Sequence, residues 1–234
     1  MKKGAQLYEG KAKKVYLTED PDTLIVSYKD DATAFNGLKK GTIHGKGAIN
    51  NRMSNSLFQL IESKGIKTHY IKELNERETA VKKVEIVPLE VIIRNVAAGS
   101  FSKRLGIEEG TPFTTPTIEF SYKNDELGDP FINSSYALAL HLVNEDEIKT
   151  IKTMAYKINE ILKERFLEAN LDLIDFKIEF GRFHKEIVLA DEISPDTCRL
   201  WDTLSKEKLD KDRFRRDLGN VEEAYLEVAR RLGL

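Results

Sequence analysis

The stretch Leu173–Gly181, with the sequence LIDFKIEFG, alternates charged and apolar residues and decides the expected fold of the chain around it. Alternate side chains of a β-strand point to opposite faces, so one face is apolar and the other carries Asp175, Lys177 and Glu179. Burial of each apolar side chain between them contributes roughly 1.5–3 kcal/mol, so that face fixes the register. The charged face must meet water, a ligand or a metal ion, because an unpaired buried charge costs several kcal/mol.

The next strand, within Ile187–Ser194 (IVLADEIS), follows after a linker short enough for an antiparallel hairpin. A two-residue turn would place Asp191 opposite Ile178, on the apolar face. A three-residue loop or a bulge would place Asp191 opposite Glu179, and two carboxylates about 5 Å apart repel each other unless a cation joins them. The pattern favours Mg²⁺, which takes one or two carboxylates together with phosphate oxygens. The alternative is an exposed sheet face of salt bridges centred on Lys177.

The first third of the chain predicts an antiparallel meander of short strands with a basic turn. Within Tyr8–Tyr16 (YEGKAKKVY), Gly10 permits a tight turn, and Lys11, Lys13 and Lys14 surround it with positive charge. Backbone amides and lysines at a turn suit a polyphosphate. A solvated basic hairpin is the alternative, because one glycine is a much weaker signal than a complete phosphate-binding loop.

A second group of residues predicts a site for a phosphate monoester. Arg94 projects from a strand within Ile92–Phe101 (IIRNVAAGSF), and Ser100 lies where a helix is expected to begin. A helix N-terminus, a hydroxyl and a guanidinium together suit a dianionic phosphate. Arg199, in the segment after the hairpin, would add a second guanidinium. The alternatives are a helix cap at Ser100, a surface ion pair at Arg94 and a structured loop anchored by Trp201.

Helical spacing predicts two longer helices, and their mixture with strands places the chain in the α+β class. The longer helix extends from about Asn144 to Asn170, with Glu147 placed to complete a capping box with Asn144. Asn220 and Glu223 form a second expected capping pair. The apolar stripes of the two helices consist of Ile49, Met53, Leu57, Leu60 and Ile61 and of Ile148, Ile151, Ala155, Ile158 and Leu162. Two further features are a polar loop at Asn36–Gly47, expected to face a ligand, and a hinge at Pro88.

The composition excludes several classes of protein. The net charge of the 234 residues is -2, which argues against a nucleic-acid binder that works by bulk charge. No uncharged apolar run approaches the ~18 residues of a membrane span, and the N-terminus lacks the apolar segment of a signal peptide. The single cysteine, Cys198, cannot form an intrachain disulfide. The sequence therefore predicts a cytoplasmic protein without membrane or nucleic-acid partners.

Lysines at a tight turn, carboxylates placed for Mg²⁺ and a separate phosphate clamp fit ATP-driven chemistry on a phosphorylated small molecule. The residues alone leave phosphoryl transfer and ATP-dependent ligation both open. The segments Val87–Ser100 and LIDFKIEFG, however, resemble the two signature segments of the phosphoribosylaminoimidazole-succinocarboxamide synthases, or SAICAR synthetases, of purine biosynthesis. Further similar segments run in order along the chain: LYEGKAKKVY, KRLGIEEG, DEISPD, RLWD, DKDRFR and VARRLG.

This resemblance implies ATP-dependent ligation of L-aspartate to the carboxylate of 5-amino-1-(5-phosphoribosyl)imidazole-4-carboxylate, through an acyl phosphate and with Mg²⁺. It implies an ATP-grasp-like fold, in which a small antiparallel β-rich lobe of residues 1–87 binds the nucleotide. A larger α+β lobe of residues 88–234 would hold the substrate and metal site. It also implies a homodimer.

The resemblance assigns roles to individual residues as well. The catalytic residues would be Lys177, Asp175 and Glu179, and the metal ligands Glu179 and Asp191. The residues around ATP would be Lys11, Ala12, Lys13, Val15, Lys82, Lys123, Glu179 and Asp191. The substrate would contact Arg94, Ser100, Asp175, Lys177, Asp196 and Arg199. The chain departs from the family pattern at Asn36, where many bacterial members have an acidic residue, so no carboxylate role is carried over there.

Overall fold

The computed structural model describes residues 1–35 and 37–234. The amino-terminal sheet contains β1 (Gln6–Glu9), β2 (Lys13–Leu17), β3 (Thr23–Tyr28), β6 (Tyr70–Asn75) and β7 (Glu78–Lys82). Its strands are antiparallel and lie in the order β1–β2–β3–β7–β6. The predicted meander is confirmed for β1, β2 and β3, but β3 then pairs with β7 and not with the next strand along the chain. A separate hairpin pairs β4 (Asp31–Ala34) with β5 (Lys39–Thr42).

A second antiparallel sheet carries the signature strand. Its members are β8 (Glu85–Val96), β9 (Pro112–Tyr122), β10 (Phe131–Ile132), β11 (Leu171–Phe183), β12 (Glu186–Ala190) and β13 (Cys198–Asp202). They lie in the order β10–β9–β8–β11–β12, and β13 pairs with the first half of β11. β11 therefore lies in the interior of this sheet.

Helices cover and connect the two sheets. They are α1 (Lys46–Ser63), α2 (Gly99–Leu105), α3 (Ser134–Ala139), α4 (Glu145–Glu168), α5 (Asp212–Arg215) and α6 (Val221–Leu232), with a short 3₁₀ helix at Asp125–Leu127. In the part of the chain that the structure describes, no helix combines the length and apolar character needed to cross a membrane.

The apolar face of β11 lies at the centre of the core, as predicted. Phe176, Ile178 and Phe180 are 1%, 0% and 0% exposed, and α4 packs on this strand with its apolar stripe. The charged face is also covered, because Asp175 and Glu179 are each only 3% exposed. Their charges must therefore be compensated inside the molecule.

One predicted helix cap is confirmed and the other is wrong. The side chain of Asn144 accepts a hydrogen bond from the backbone N–H of Glu147, whose side chain bonds back to the N–H of Asn144. Asn220, by contrast, has a φ of 48° and makes no side-chain cap. The left-handed conformation of Asn220 is not the extended one from which a cap side chain reaches back over the first helical turn.

The hairpin has a two-residue turn, and its strands therefore pair in the first of the two expected registers. Glu179 pairs with Ala190, and the strand β12 ends there. Asp191 follows with a φ of 61°, outside the strand. This left-handed residue breaks the alternation of faces, so the strand register does not govern where its carboxylate points.

Two expectations about local structure need correction. The segment Asn36–Gly47 is not one long loop, because it contains β5 and the first residues of α1. The expectation at Asn36 itself lies outside the described residues. The strand β8 continues through Pro88, where the β8–β11 register shifts and a missing N–H is tolerated.

Candidate active site

Two lysines hold the carboxylate of Glu179 at one end of the charged face of β11. Its Oε1 accepts hydrogen bonds from Nζ of Lys177 at 2.9 Å and Nζ of Lys123 at 3.1 Å. Lys177 also donates to Oε1 of Glu90 at 2.8 Å, and Glu90 lies opposite Glu179 in the β8–β11 register. Burial lowers the pKa of Lys177, but Glu179, Glu90 and Asp191 raise it well above its usual value. Lys177 is therefore a fixed positive charge.

Asp191 brings a second carboxylate to the same place. It forms an ion pair with Lys13 of β2, and Nζ of Lys13 also lies 3.1 Å from Oε1 of Glu192. Burial raises the pKa of Asp191, but Lys13 and Lys177 lower it below its usual value, so the carboxylate is ionised. Asp191 also raises the pKa of Lys177, so its charge acts on the same ammonium group that Glu179 contacts at 2.9 Å.

One oxygen of each of these two carboxylates is available to a divalent cation. Within residues 1–35 and 37–234, Oε2 of Glu179 and Oδ2 of Asp191 accept no hydrogen bond. The same residues include no group of three or more His, Cys, Asp or Glu that could hold a metal ion. A pair of carboxylate oxygens without a third protein ligand suits Mg²⁺, which completes its shell with phosphate oxygens and water.

The turn between β1 and β2 faces an open cleft. Gly10 closes the turn with a hydrogen bond from its N–H to the carbonyl oxygen of Lys13, and Nζ of Lys11 lies 2.8 Å from Oδ1 of Asp125. The cleft has a volume of about 720 Å³, and Lys40 of β5 lines its other side. Lys11 therefore reaches across from the amino-terminal sheet to the 3₁₀ helix.

The remaining residues expected around ATP have different surroundings. The carbonyl oxygen of Ala12 accepts a hydrogen bond from the N–H of Lys29 at 2.8 Å. Val15 is buried in the core of the amino-terminal sheet. Nζ of Lys82 donates to the carbonyl oxygen of Thr68 at 2.8 Å. The contacts of these three residues are thus internal to the protein.

Asp175, at the other end of the charged face, holds two arginines. Nη1 of Arg94 donates to Oδ2 of Asp175 at 2.6 Å, and Nη1 of Arg199 donates to both oxygens at 3.0 and 2.9 Å. Nε of Arg94 donates to Glu119 at 2.7 Å, and its Nη2 lies 3.4 Å from Oγ of Ser100. The structure therefore brings together the two predicted guanidiniums and the predicted hydroxyl.

Asp212 fixes Arg199 from the side opposite Asp175. Nε of Arg199 donates to Oδ2 of Asp212 at 2.9 Å, and Nη1 of Arg215 donates to its Oδ1 at 2.7 Å. Burial raises the pKa of Asp212, but Arg199 and Arg215 lower it to about 2. A cavity of about 150 Å³ opens between these groups, and its polar lining consists of Arg94, Asp175, Lys177, Asp196, Thr197, Arg199 and Arg215.

Asp196, predicted to contact the substrate, is held by several contacts within the protein. Its Oδ2 lies 2.7 Å from Nζ of the fully buried Lys46 and 3.5 Å from Nζ of Lys211. The hydroxyl of Tyr225 donates to its Oδ1. Burial raises the pKa of Asp196, but the two lysines lower it below its usual value. The carboxylate therefore ties α1 and α6 to the wall of the 150 Å³ cavity.

Sequence reasoning did not identify Glu90, Glu119 or Asp212. A signal existed for Glu90, because it shares one face of an expected strand with Arg94. Glu119 and Asp212 lie in segments whose spatial neighbours are far away in sequence, so no local pattern pointed to them. A larger groove of about 1080 Å³, which Phe113, Ile161 and Trp201 help to line, has none of the predicted site residues in its lining.

Comparison with known proteins connects this geometry to a family. Residues 6–232 match the family model described as SAICAR synthetase. The phosphoribosylaminoimidazole-succinocarboxamide synthase of Lachnoclostridium phytofermentans is 70% identical over 234 residues, which is 100% of each chain. The enzyme of the same name from Clostridium kluyveri is 61% identical over 99% of each chain.

Solved structures agree with these sequence relatives. The phosphoribosylaminoimidazole-succinocarboxamide synthase of Ehrlichia chaffeensis has a TM-score of 0.96 and 51% identity, covering 98% of each chain. A SAICAR synthetase in complex with ADP has a TM-score of 0.93 and 50% identity, covering 96% of each chain. The mixed α+β arrangement with antiparallel sheets is the one these structures share with the present chain.

Proposed function

This chain belongs to the SAICAR synthetase family, and from that premise we propose how its charged strand serves the reaction. The protein is an ATP-dependent ligase that joins L-aspartate to the carboxylate of 5-amino-1-(5-phosphoribosyl)imidazole-4-carboxylate in purine biosynthesis. The observation that carries the proposal is that β11 has two differently built ends. Glu179 and Lys177 form a nucleotide end with Asp191, and Asp175 forms a phosphate-monoester end with Arg94 and Arg199.

The spacing of the two ends supports a single extended substrate between them. Asp175 and Glu179 are four residues apart on one face, which is about 13 Å along a strand. A phosphoribosyl group can lie along this distance, with its phosphate near Arg94, Arg199 and Ser100 and its imidazole carboxylate near Lys177. The carboxylate then lies beside the site proposed for the γ-phosphate of ATP.

A carboxylate is a poor electrophile, so ATP must first convert it to an acyl phosphate. We assign Lys177, Lys123 and Lys13 to neutralise the phosphoryl oxygens during this transfer, which depends mostly on positioning and electrostatics. Mg²⁺ bound by Glu179 and Asp191 would supply further charge neutralisation at the phosphates. The deprotonated amine of aspartate then attacks the acyl carbon, and inorganic phosphate leaves.

We propose an orienting role for Asp175 rather than a role as the base. Both of its oxygens accept hydrogen bonds from the guanidiniums of Arg94 and Arg199, so neither is free to take a proton from the amine. Asp196 similarly orients the cavity wall through Lys46 and Tyr225. Lys11, at the open cleft, and Lys82, Ala12 and Val15, around β2 and β7, remain proposed neighbours of the nucleotide.

The resemblance supports further proposals about the whole protein. We propose that residues 1–87 and 88–234 form an ATP-grasp-like pair of lobes with the nucleotide between them, that Mg²⁺ is the metal, and that the protein is a cytoplasmic homodimer. The first sheet ends at Lys82 and the second begins at Glu85, so the change of sheet lies a few residues before the proposed boundary, which falls inside β8. The single cysteine, buried and free, suits a reducing compartment.

An assay with complete and incomplete substrate mixtures tests the function. Release of ADP should require ATP, L-aspartate and the imidazole carboxylate together, and the succinocarboxamide should appear in equal amount. ADP release with a phosphorylated product in the absence of aspartate would indicate a kinase and would overturn the proposal.

A further inference from the structure

Four charged side chains that line the 150 Å³ cavity, together with two carboxylates outside its lining, form one continuous chain of ion pairs with alternating sign. We call it the arginine–carboxylate chain, and its members in order are Glu119, Arg94, Asp175, Arg199, Asp212 and Arg215. The chain crosses β9, β8, β11, β13 and α5. Its two arginines proposed to bind the phosphate are therefore each held between two carboxylates.

The two outer carboxylates contact different atoms of the arginines from those that Asp175 contacts. Glu119 accepts from Nε of Arg94, and Asp212 accepts from Nε of Arg199. Asp175 accepts from Nη1 of both. A guanidinium held at two of its nitrogens cannot rotate about its side chain, which leaves its third nitrogen, Nη2, with a fixed direction.

We propose that Glu119 and Asp212 are positioning residues that aim the Nη2 groups of Arg94 and Arg199 at the phosphate of the substrate. This inference rests on the proposed function, because it concerns the same phosphate-monoester end of β11. Neither Glu119 nor Asp212 lines the cavity, so each acts through an arginine. Arg104 extends the chain by a further ion pair with Glu119.

A positioning role and the simple effect of charge predict opposite changes in phosphate binding, so a substitution can distinguish them. Removing a negative charge near the site makes its field more positive, so electrostatics alone predicts tighter binding of a phosphate dianion in Glu119→Gln. Loss of orientation predicts weaker binding in Glu119→Gln and also in Glu119→Asp, which keeps the charge but shortens the reach. The same reasoning applies to Asp212→Asn, which removes the charge, and to Asp212→Glu, which keeps the charge but lengthens the reach.

The matched controls are Glu147→Gln and Glu147→Asp. Glu147 also accepts from Nε of an arginine, at 2.6 Å from Arg182, with a further hydrogen bond of 3.0 Å from Nη2, and this pair lies outside the cavity. The side chains of Glu147 and Glu119 are 18% and 16% exposed. A general loss of stability from breaking an arginine–glutamate pair would therefore appear in both sets of variants.

The experiment measures KM for each substrate, the inhibition constant of ribose 5-phosphate, and binding of the imidazole carboxylate by calorimetry without ATP. In Glu119→Asp and Glu119→Gln we expect KM for the imidazole carboxylate and the ribose 5-phosphate constant to rise about tenfold together, with KM for ATP unchanged. The Glu147 variants should match the wild type in KM for the imidazole carboxylate, in KM for ATP and in the inhibition constant of ribose 5-phosphate. The same pattern is expected for the Asp212 variants.

Three results would overturn the inference: an unchanged KM in Glu119→Asp, a lowered KM in Glu119→Gln, or an equal rise in the KM values for all substrates. The proposed function is checked separately with the wild type. If the wild type forms the succinocarboxamide and any of these results is found, only the positioning role fails. If the wild type does not form it, the proposed function fails.

Discussion

Removal of the charge of Glu179 should strongly affect turnover at the nucleotide end of β11. Its Oε1 accepts from both Lys123 and Lys177, so an amide in its place would remove the carboxylate from Lys123 and leave Lys177 with Glu90 alone. We expect Glu179→Gln to lower kcat by at least about a hundredfold, since charge stabilisation at such sites is worth several kcal/mol. The protein should still fold. Steady-state kinetics with circular dichroism as the control checks this, and wild-type turnover would contradict the assignment.

Asp210 contributes a pH dependence of stability next to the arginine–carboxylate chain. Burial, together with the charge of Asp212, raises the pKa of Asp210 to about 7. The folded state therefore holds a proton that the unfolded state releases near pH 4. The contribution of Asp210 is fully present below about pH 4, and stability is lost as the pH rises toward 7, with a slope of up to about 1.4 kcal/mol per pH unit.

Comparison with Asp210→Asn isolates this group. Burial lowers the pKa of His69 to about 3, which gives stability a slope of the opposite sign over much of the same range, so the wild type alone is not informative. The two oxygens of the Asp210 carboxyl group each accept a hydrogen bond, from the N–H groups of Leu200 and Asp212, whereas the nitrogen of an amide cannot accept one. We therefore expect Asp210→Asn to be less stable at pH 5, with the difference shrinking toward pH 8 in urea unfolding. A pH-independent difference would contradict the raised pKa.

At the scale of elements, the start of α2 must leave room for Arg199. Gly99 has a φ of +54°, and a Cβ there would lie 2.4 Å from Nη2 of Arg199. Gly106, at the other end of α2, has a φ of +65° and no described atom within 4 Å of such a Cβ. Both alanine substitutions introduce left-handed strain of roughly 1–2 kcal/mol, but only one displaces a guanidinium.

We therefore expect Gly99→Ala to raise KM for the imidazole carboxylate about tenfold, a loss of the size typical for one charge-assisted hydrogen bond. Gly106→Ala and Gly99→Ala should lower the melting temperature by similar amounts, but Gly106→Ala should leave KM for the imidazole carboxylate unchanged. Equal KM values in the two variants would mean that the close approach of α2 to Arg199 does not matter for binding.

Elements with a local pattern were predictable, and those that depend on one unusual residue were not. The capping box of α4 was visible because Asn144 and Glu147 interact only with each other and the backbone between them. The cap at Asn220 failed because a left-handed φ overrides a favourable residue pair. The hairpin turn was one of two expected, but the left-handed Asp191 then moved its carboxylate out of the strand register.

At the scale of the whole molecule, the segment Lys67–His69 joins the two sheets. The N–H of His69 donates to the carbonyl oxygen of Leu189 in β12, and the N–H of Leu189 donates to Lys67. The N–H of Lys82 in β7 donates to the carbonyl oxygen of His69 at 2.6 Å. The sequence does not reveal the pairing with Leu189, because pairing across more than 100 residues leaves no local pattern. By joining the sheets, this segment holds Lys13, in the first sheet, near Asp191, which follows β12 of the second sheet.

The nucleotide end is therefore built from both sheets, and its ligand should stabilise the whole chain. Free Glu179 and Asp191 would repel a triphosphate, so nucleotide binding should depend on a divalent cation. At a hundred times its dissociation constant, MgATP adds about 2.7 kcal/mol of stability. For a chain of this size that raises the melting temperature by roughly 5–10 °C. ATP with excess EDTA should give a much smaller rise.

Two variants locate the origin of this metal dependence. Glu179→Gln should lose most of the magnesium-dependent rise, because one of the two uncommitted carboxylate oxygens is gone. Glu186→Gln, on the same hairpin but paired with Lys67 at the surface, should keep it. If EDTA leaves the rise intact, the lysines alone neutralise the phosphates and Glu179 serves only to hold Lys123 and Lys177. If both variants lose the rise, the hairpin as a whole has been disturbed and the cation is not localised at Glu179.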